Sequence, residues 1–267
     1  MRKSFVRMMV FSAFCVLVLS THNAFAGPEG GLIVAPQTDA SIEIDGKLDE
    51  WGLGLFTDEQ KIVLTEENGF INTGTIDDDE DFSAVIYALY DEDSLYIAAE
   101  VTDDATEDSY SGGNNWQNDC IEIWIDGAGD DGTMTDRGGN DPDNYQFNVD
   151  VNGFPYVYRN DDAATLLNEL ESASDVQGTN YTLETRIPFS AIPELDLSSS
   201  RIMGFGVSFV DSDGGVWNHI LWQGEIEHEP TQWGDLEFSL EKLSVEPVGK
   251  MPAVWGLIKR GYNIRPT

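Results

Sequence analysis

The 267-residue sequence predicts an all-β protein, a single antiparallel β-sandwich of the jelly-roll kind behind a cleaved signal peptide. Short runs rich in Val, Ile, Tyr and Phe recur between clusters of Asp, Gly, Asn and Pro, which is how strands and their turns read. Only residues 163–170 suggest a helix, with a short turn at 189–192 after Pro188, so neither a helix bundle nor a βαβ architecture fits. Once the signal peptide is removed, Cys120 is the sole cysteine; a disulfide-stapled fold is excluded, and the chain is long enough to hold a core without one.

Taken in order, Met1-Arg2-Lys3 and Arg7 precede an apolar run over 8–19 and the small-x-small triplet Ala24-Phe25-Ala26, which makes 1–26 a signal peptide and Gly27 the first mature residue. Cys15 follows Phe14, too bulky for lipoprotein processing. Residues 27–37 read as a linker, and the folded module is expected over 38–240. Strands are expected at 41–44, 84–90, 95–101, 120–125, 145–151, 155–158, 181–187, 203–209 and 236–240. Tyr90-Asp91-Glu92-Asp93-Ser94 marks one hairpin, and Asn152-Gly153 between Val151 and Phe154 marks another. The loops 102–116 and 127–144 are longer than connection requires, and such loops on a rigid sheet are where binding functions concentrate. The tail, 241–267, carries Lys242, Lys250, Lys259, Arg260 and Arg265 around an apolar centre and reads as a tether, a secretion signal or an arm for a surface partner.

Formal net charge is −35, and between 27 and 240 only Lys47, Lys61, Arg137, Arg159, Arg186 and Arg201 are basic. Such a surface repels nucleic acid, anionic lipid and phosphate-bearing ligands, and it admits neutral ligands and cations. No later segment approaches the roughly 20 apolar residues of a membrane span, so the mature protein is expected to be secreted, periplasmic or at the cell surface.

The stretch Trp116-Gln117-Asn118-Asp119-Cys120-Ile121-Glu122-Ile123-Trp124-Ile125-Asp126 joins an aromatic loop to a strand whose faces differ. At period two, Ile121, Ile123 and Ile125 face the core, while Cys120, Glu122, Trp124 and Asp126 face away. An indole beside a carboxylate suits a saccharide, which offers C–H faces to stack and hydroxyls to bond. Trp51 reads as structural, and for Glu122, Glu184 and Arg186 a mutual ion pair is the competing use. Asp119 and Glu122 are three apart and point opposite ways, and no nucleophile–His–acid set stands out with only His219 and His228 in the mature chain, so catalysis is not expected.

Several landmarks occur in order: Ile44-Asp45-Gly46-Lys47-Leu48-Asp49-Glu50-Trp51, Tyr90-Asp91-Glu92-Asp93-Ser94-Leu95-Tyr96, Val101-Thr102-Asp103, the stretch from Trp116 to Asp126, Tyr181-Thr182-Leu183-Glu184, Ile187-Pro188, Gly204-Phe205 and Asp211-Ser212-Asp213. Together they resemble the family nine carbohydrate-binding modules, found beside xylanases and as stand-alone secreted proteins, over about residues 38–240. The resemblance implies a β-sandwich that binds xylan- or glucan-type sugar, often at chain ends, between two Trp side chains, with calcium bracing the loops. It places the first stacking Trp at Trp116 and the hydroxyl-binding carboxylate at Glu122, with further contacts from Gln146 and Asn148 and a second stacking Trp at Trp233 or Trp222. For calcium it points to Asp103 and Asp104 in one loop and Asp126, Asp130 and Asp131 in the other, with Asp136, Asp141 and Asp143 nearby. The first rival is a haem-binding electron-transfer module of similar fold, with Met134, Met203, His219 or His228 as axial ligand. The second is a structural protein of the cell surface.

Overall fold

The strands that the alternation calls for close into two layers around one apolar core. The structure is a computed structural model that describes residues 31–129, 143–159, 167–223 and 229–243; residues 1–30, which include the expected signal peptide, the tail beyond 243, Asp130, Asp131, Asp136, Asp141, Met134 and His228 lie outside the described residues. The strands are β1 (Leu32–Thr38), β2 (Lys61–Leu64), β3 (Phe70–Thr73), β4 (Phe82–Tyr90), β5 (Ser94–Asp103), β6 (Cys120–Asp126) and β7 (Asn144–Asp150). They continue with β8 (Pro155–Arg159), β9 (Glu171–Gln177), β10 (Asn180–Pro188), β11 (Ile202–Asp213), β12 (Val216–Leu221) and β13 (Gly234–Leu243). Hydrogen bonding is continuous through all of them. One layer runs β9-β10-β5-β4-β1-β13, with β2 also on β4, and the other runs β8-β7-β6-β11-β12-β3. The layers join at β11, where β13 takes Ile202–Phe205 and β12 takes Ser208–Asp213 on the edge opposite β6.

Ile121, Ile123 and Ile125 of β6, with Tyr145, Phe147 and Val149 of β7, meet Ile97, Ala99, Val101, Tyr181 and Leu183 of the first layer in one buried cluster, as the period-two reading requires. Pairing is antiparallel except along β1, which runs parallel to both β13 and β4. Residues 32–37, expected as linker, are therefore strand. Pro36 hides this in the sequence, and it sits in the irregularity between Ala35 and Gln37, where the ladder does not need its missing N–H. Residues 41–44, expected as a strand, form none, and of the expected helix only 167–169 are described as helical.

The segment after β1 covers the outer face of the first layer. Trp51, Ile42 and Phe56 pack on Tyr87, Leu89, Tyr96 and Ala98 in a second buried cluster. Glu184 fastens this strap by accepting hydrogen bonds from Trp51 Nε1 at 2.6 Å and from the backbone N–H of Gly46 at 2.8 Å and Asp45 at 3.1 Å. Gly46 has φ +84°, and a Cβ there would lie 2.4 Å from the Ser174 backbone, so only glycine fits this turn. Arg186 pairs with Glu171 at 2.6 Å, so Glu122, Glu184 and Arg186 form no mutual ion pair. No helix among the described residues is long and apolar enough to cross a membrane.

Candidate functional site

The outer face of the second layer carries the side chains singled out in the sequence. Across the sheet, Tyr156, Asn148, Glu122 and Ser208 stand opposite one another on β8, β7, β6 and β11, and the next row places Gln146, Trp124 and Gly206 together. Registry puts Trp217 and His219 of β12 on the same face, opposite Ser212 and Val210. The turn Gly112–Gln117 lies over this face and carries Trp116. β6 and β7 are buried on both faces, so the site is roofed and not the open sheet that alternation suggested.

At its centre Glu122 Oε1 accepts from Asn148 Nδ2 at 2.8 Å, and Oε2 accepts from the Ser208 hydroxyl at 3.2 Å. His219 Nε2 lies 2.8 Å from Ser208 Oγ and 3.2 Å from Glu122 Oε2. Asn72 Nδ2, on β3, reaches His219 Nδ1 at 3.3 Å, so the ring presents its proton at Nε2. Ser208, His219 and Glu122 thus meet without forming a nucleophile relay: serine and acid share one imidazole nitrogen and an amide holds the other, whereas a relay needs the acid on the nitrogen remote from the serine. Glu122, expected to bind hydroxyls, accepts from Asn148 and Ser208 here and so fixes the Asn148 amide. With His219 bonded through both nitrogens and Met203 fully inside the core, neither described haem-ligand candidate offers a free ligand atom.

Two indoles flank this network. Trp116 and Trp217 stand edge to face, centroids 5.7 Å apart and planes at 85°, and Trp217 also stacks on His219 at 5.4 Å and 26°. Of the expected C-terminal partners, Trp233 borders this face beside Trp124 and Gly206, and Trp222 sits against the core. Trp233 is 3% exposed and packs on Trp124 at 6.2 Å, while Trp222 packs against Phe205 and the main core. Trp51 is wholly buried, as its structural reading requires. Three polar atoms within this face have neither solvent nor a protein partner: Asn148 Oδ1, Trp124 Nε1 and Trp217 Nε1. Buried polar groups are nearly always paired, so an acceptor and two donors left over on one face are a departure from the rule. Trp217 was missed because Val216-Trp217-Asn218-His219 looks like any half-buried strand; its spacing of two from His219 was the only signal.

Below the two indoles the carboxylates separate into two groups. Asp103, Asp119 and Asp211 bring oxygens within 4.8 Å of one another, and so do Asp81, Asp104 and Asp213. Asp103 and Asp104 therefore fall in different groups, and Asp119, Asp211, Asp81 and Asp213 join them from distant parts of the chain. The first group is buried, its members 3%, 0% and 1% exposed. Burial pushes the carboxyl of Asp103 up to about 8 and those of Asp119 and Asp211 up to about 7, with neighbouring carboxylates adding to the rise. Asp119 accepts from the N–H of Glu107 at 2.6 Å and of Ser212 at 2.7 Å, and Asp211 accepts from Asn218 at 3.0 Å. Asp103 Oδ2 and Asp211 Oδ1 are buried without a partner. No Lys or Arg among the described residues pairs with any of the three. Three buried carboxylates, two of them with an unspent oxygen, suit a hard cation. Asp126 and Asp143 instead close a turn by accepting from Gly129 and Ala128, and among the described residues they join no such group.

A two-layer β-sandwich with a roofed aromatic and amide-lined face is the form of a carbohydrate-binding module. The family described as carbohydrate family 9 binding domain-like matches residues 44–240, and the chain belongs to it. No curated protein matches it. Among solved structures it is similar to a family 9 carbohydrate-binding module from Caldicellulosiruptor kristjanssonii in complex with cellotriose, with 18% identity, TM-score 0.57, and 83% of this chain and 100% of that one covered. It is similar as well to such a module from the same organism in complex with glucose, with 18% identity, TM-score 0.60, and 81% and 100% covered. The likeness carries the fold, and the expected antiparallel sandwich is what is found.

Proposed function

We propose that this protein is an exported, non-catalytic module that binds neutral saccharide of the glucan or xylan type on the outer face of its second layer. The observation that carries the reading is the set of unpaired buried polar atoms, Asn148 Oδ1, Trp124 Nε1 and Trp217 Nε1, on an aromatic face. Hydroxyls both donate and accept, so a saccharide can serve atoms of either kind. Trp116 supplies a stacking surface, Asn148 and Gln146 supply polar contacts, and Glu122 fixes the orientation of Asn148. The acidic surface excludes charged glycans of the same sign. Stacking is worth on the order of 1 kcal/mol per ring beyond area burial, which puts affinity in the micromolar to millimolar range. Calcium fits the group formed by Asp103, Asp119 and Asp211, where it would neutralise like charges and tie the end of β5, the start of β6 and the end of β11 together. The signal-like start supports export, and the basic tail supports attachment to an acidic surface or secretion partner.

Isothermal titration of the protein in calcium with xylobiose, cellobiose, cellotriose and soluble xylan tests the reading. Binding by the parent, lost in a folded Trp116→Ala variant, is the expected outcome. Absence of heat with all four would sink it.

A further inference from the structure

The saccharide reading leaves open what stands opposite Trp116. Of the seven tryptophans, Trp51, Trp124, Trp222 and Trp233 all belong to or pack against hydrophobic clusters, and Trp255 lies outside the described residues. Trp116 and Trp217 do neither. Both are half-buried and both border the Glu122–His219–Asn148 network. An indole serving only to fill space is covered by apolar neighbours. Trp217 rests on an imidazole and on another indole, and its N–H has no partner.

We infer that Trp217 is the second aromatic contact of the saccharide site, in place of Trp222 or Trp233, and that with Trp116 it forms a corner and not a slot. Two rings that clamp a sugar from both sides must face each other with planes about 7–8 Å apart, twice the usual contact distance. These planes are at 85° and the rings touch. A sugar stacked on one indole therefore meets the edge of the other, and its neighbour in an oligosaccharide continues across the corner onto the second ring. The His219 ring, held by Asn72, Ser208 and Glu122, backs Trp217 and fixes its tilt. A corner rewards the second sugar of a chain, so an oligosaccharide gains more from Trp217 than a monosaccharide does.

The inference rests on the saccharide reading, and one set of titrations separates the two. Glucose and cellotriose are titrated into the parent, Trp116→Ala, Trp217→Ala and Trp217→Phe in calcium, with circular dichroism as the folding control. The parent is expected to bind cellotriose about tenfold more tightly than glucose, the value of one stacked ring. Trp217→Ala should lose that preference, weakening cellotriose about tenfold more than glucose, and Trp217→Phe should keep part of it. Trp116→Ala should lose both ligands. If Trp217→Ala fails to fold, Trp217→Phe decides alone: cellotriose weakened about two- to fivefold more than glucose, from the smaller ring, supports the assignment. Cellotriose preference untouched in Trp217→Ala, or in Trp217→Phe when that variant decides, overturns the corner while leaving the saccharide reading intact. No binding of either sugar by the parent overturns both.

Discussion

Replacing Trp51 by Phe perturbs the strap at the point where its energetics can be worked out. The indole is fully buried, and its Nε1–H donates to Glu184 Oε1 at 2.6 Å. Losing a hydrogen bond to a charged acceptor costs about 1.5–3 kcal/mol, and a smaller ring in a closed site costs roughly 1 kcal/mol more. A total of about 2.5–4 kcal/mol corresponds to a Tm lower by about 5–16 °C for a domain of this size. The penalty also depends on pH. Burial pushes the Glu184 carboxyl from its ordinary 4.5 up to about 7, against the three donors that favour its anion. Between those values the folded state binds more protons than the unfolded state, so stability falls as pH rises and levels off above 7. Removing the indole donor raises the folded value further, and the variant keeps losing stability above 7 where the parent has levelled off. Thermal denaturation of both proteins at pH 5 and pH 8.5 should therefore show the larger gap at the higher pH. A Tm loss under about 3 °C at pH 8.5, or a gap that shrinks with rising pH, would refute the role assigned to this hydrogen bond.

The Asp103–Asp119–Asp211 group predicts that calcium raises Tm over the chelated protein: at a hundred times Kd the gain is about 2.7 kcal/mol, or roughly 5–10 °C. Asp211→Asn should abolish most of that response, and a parent that melts identically in calcium and in chelator would refute the cation assignment. Gly46→Ala combines a φ of +84° with a Cβ 2.4 Å from the Ser174 backbone; it should cost about 2–4 kcal/mol in urea denaturation, and a loss under about 0.5 kcal/mol would show that the turn relaxes freely.

Eight of the strands could be read from the sequence because their alternation is regular, as in β6 and β10. Those that escaped had physical reasons to. β9, with the sequence ESASDVQ, is an edge strand whose pairing with β10 compensates for poor β-propensity. β3 has four residues, and β1 contains a proline. The Trp116–Glu122 stretch was legible because the indole and carboxylate are six residues apart in one short stretch of sequence, a turn running straight into β6. Trp217 and the Asp119–Asp211 contact were not, since they depend on how β12 and β11 come beside the turn that carries Trp116. The same distance effect redirected Glu122: no local pattern announces that Ser208 and His219, contributed by later strands, will occupy its oxygens.

The placement of β1 between β13 and β4 bears on how the chain is made. Ile33 and Val34 pair with Leu236 and Glu237, so the first strand of the module waits for the last before its ladder is complete. Until residues 234–243 arrive, β1 and one end of β11 both present open backbone edges, which recruit stray strands. Early and late segments thus close the sandwich together, a high-separation contact that delays folding relative to synthesis. A chain interrupted before Gly234 leaves that seam unstitched and announces its incompleteness to any surveillance that recognises exposed strand edges.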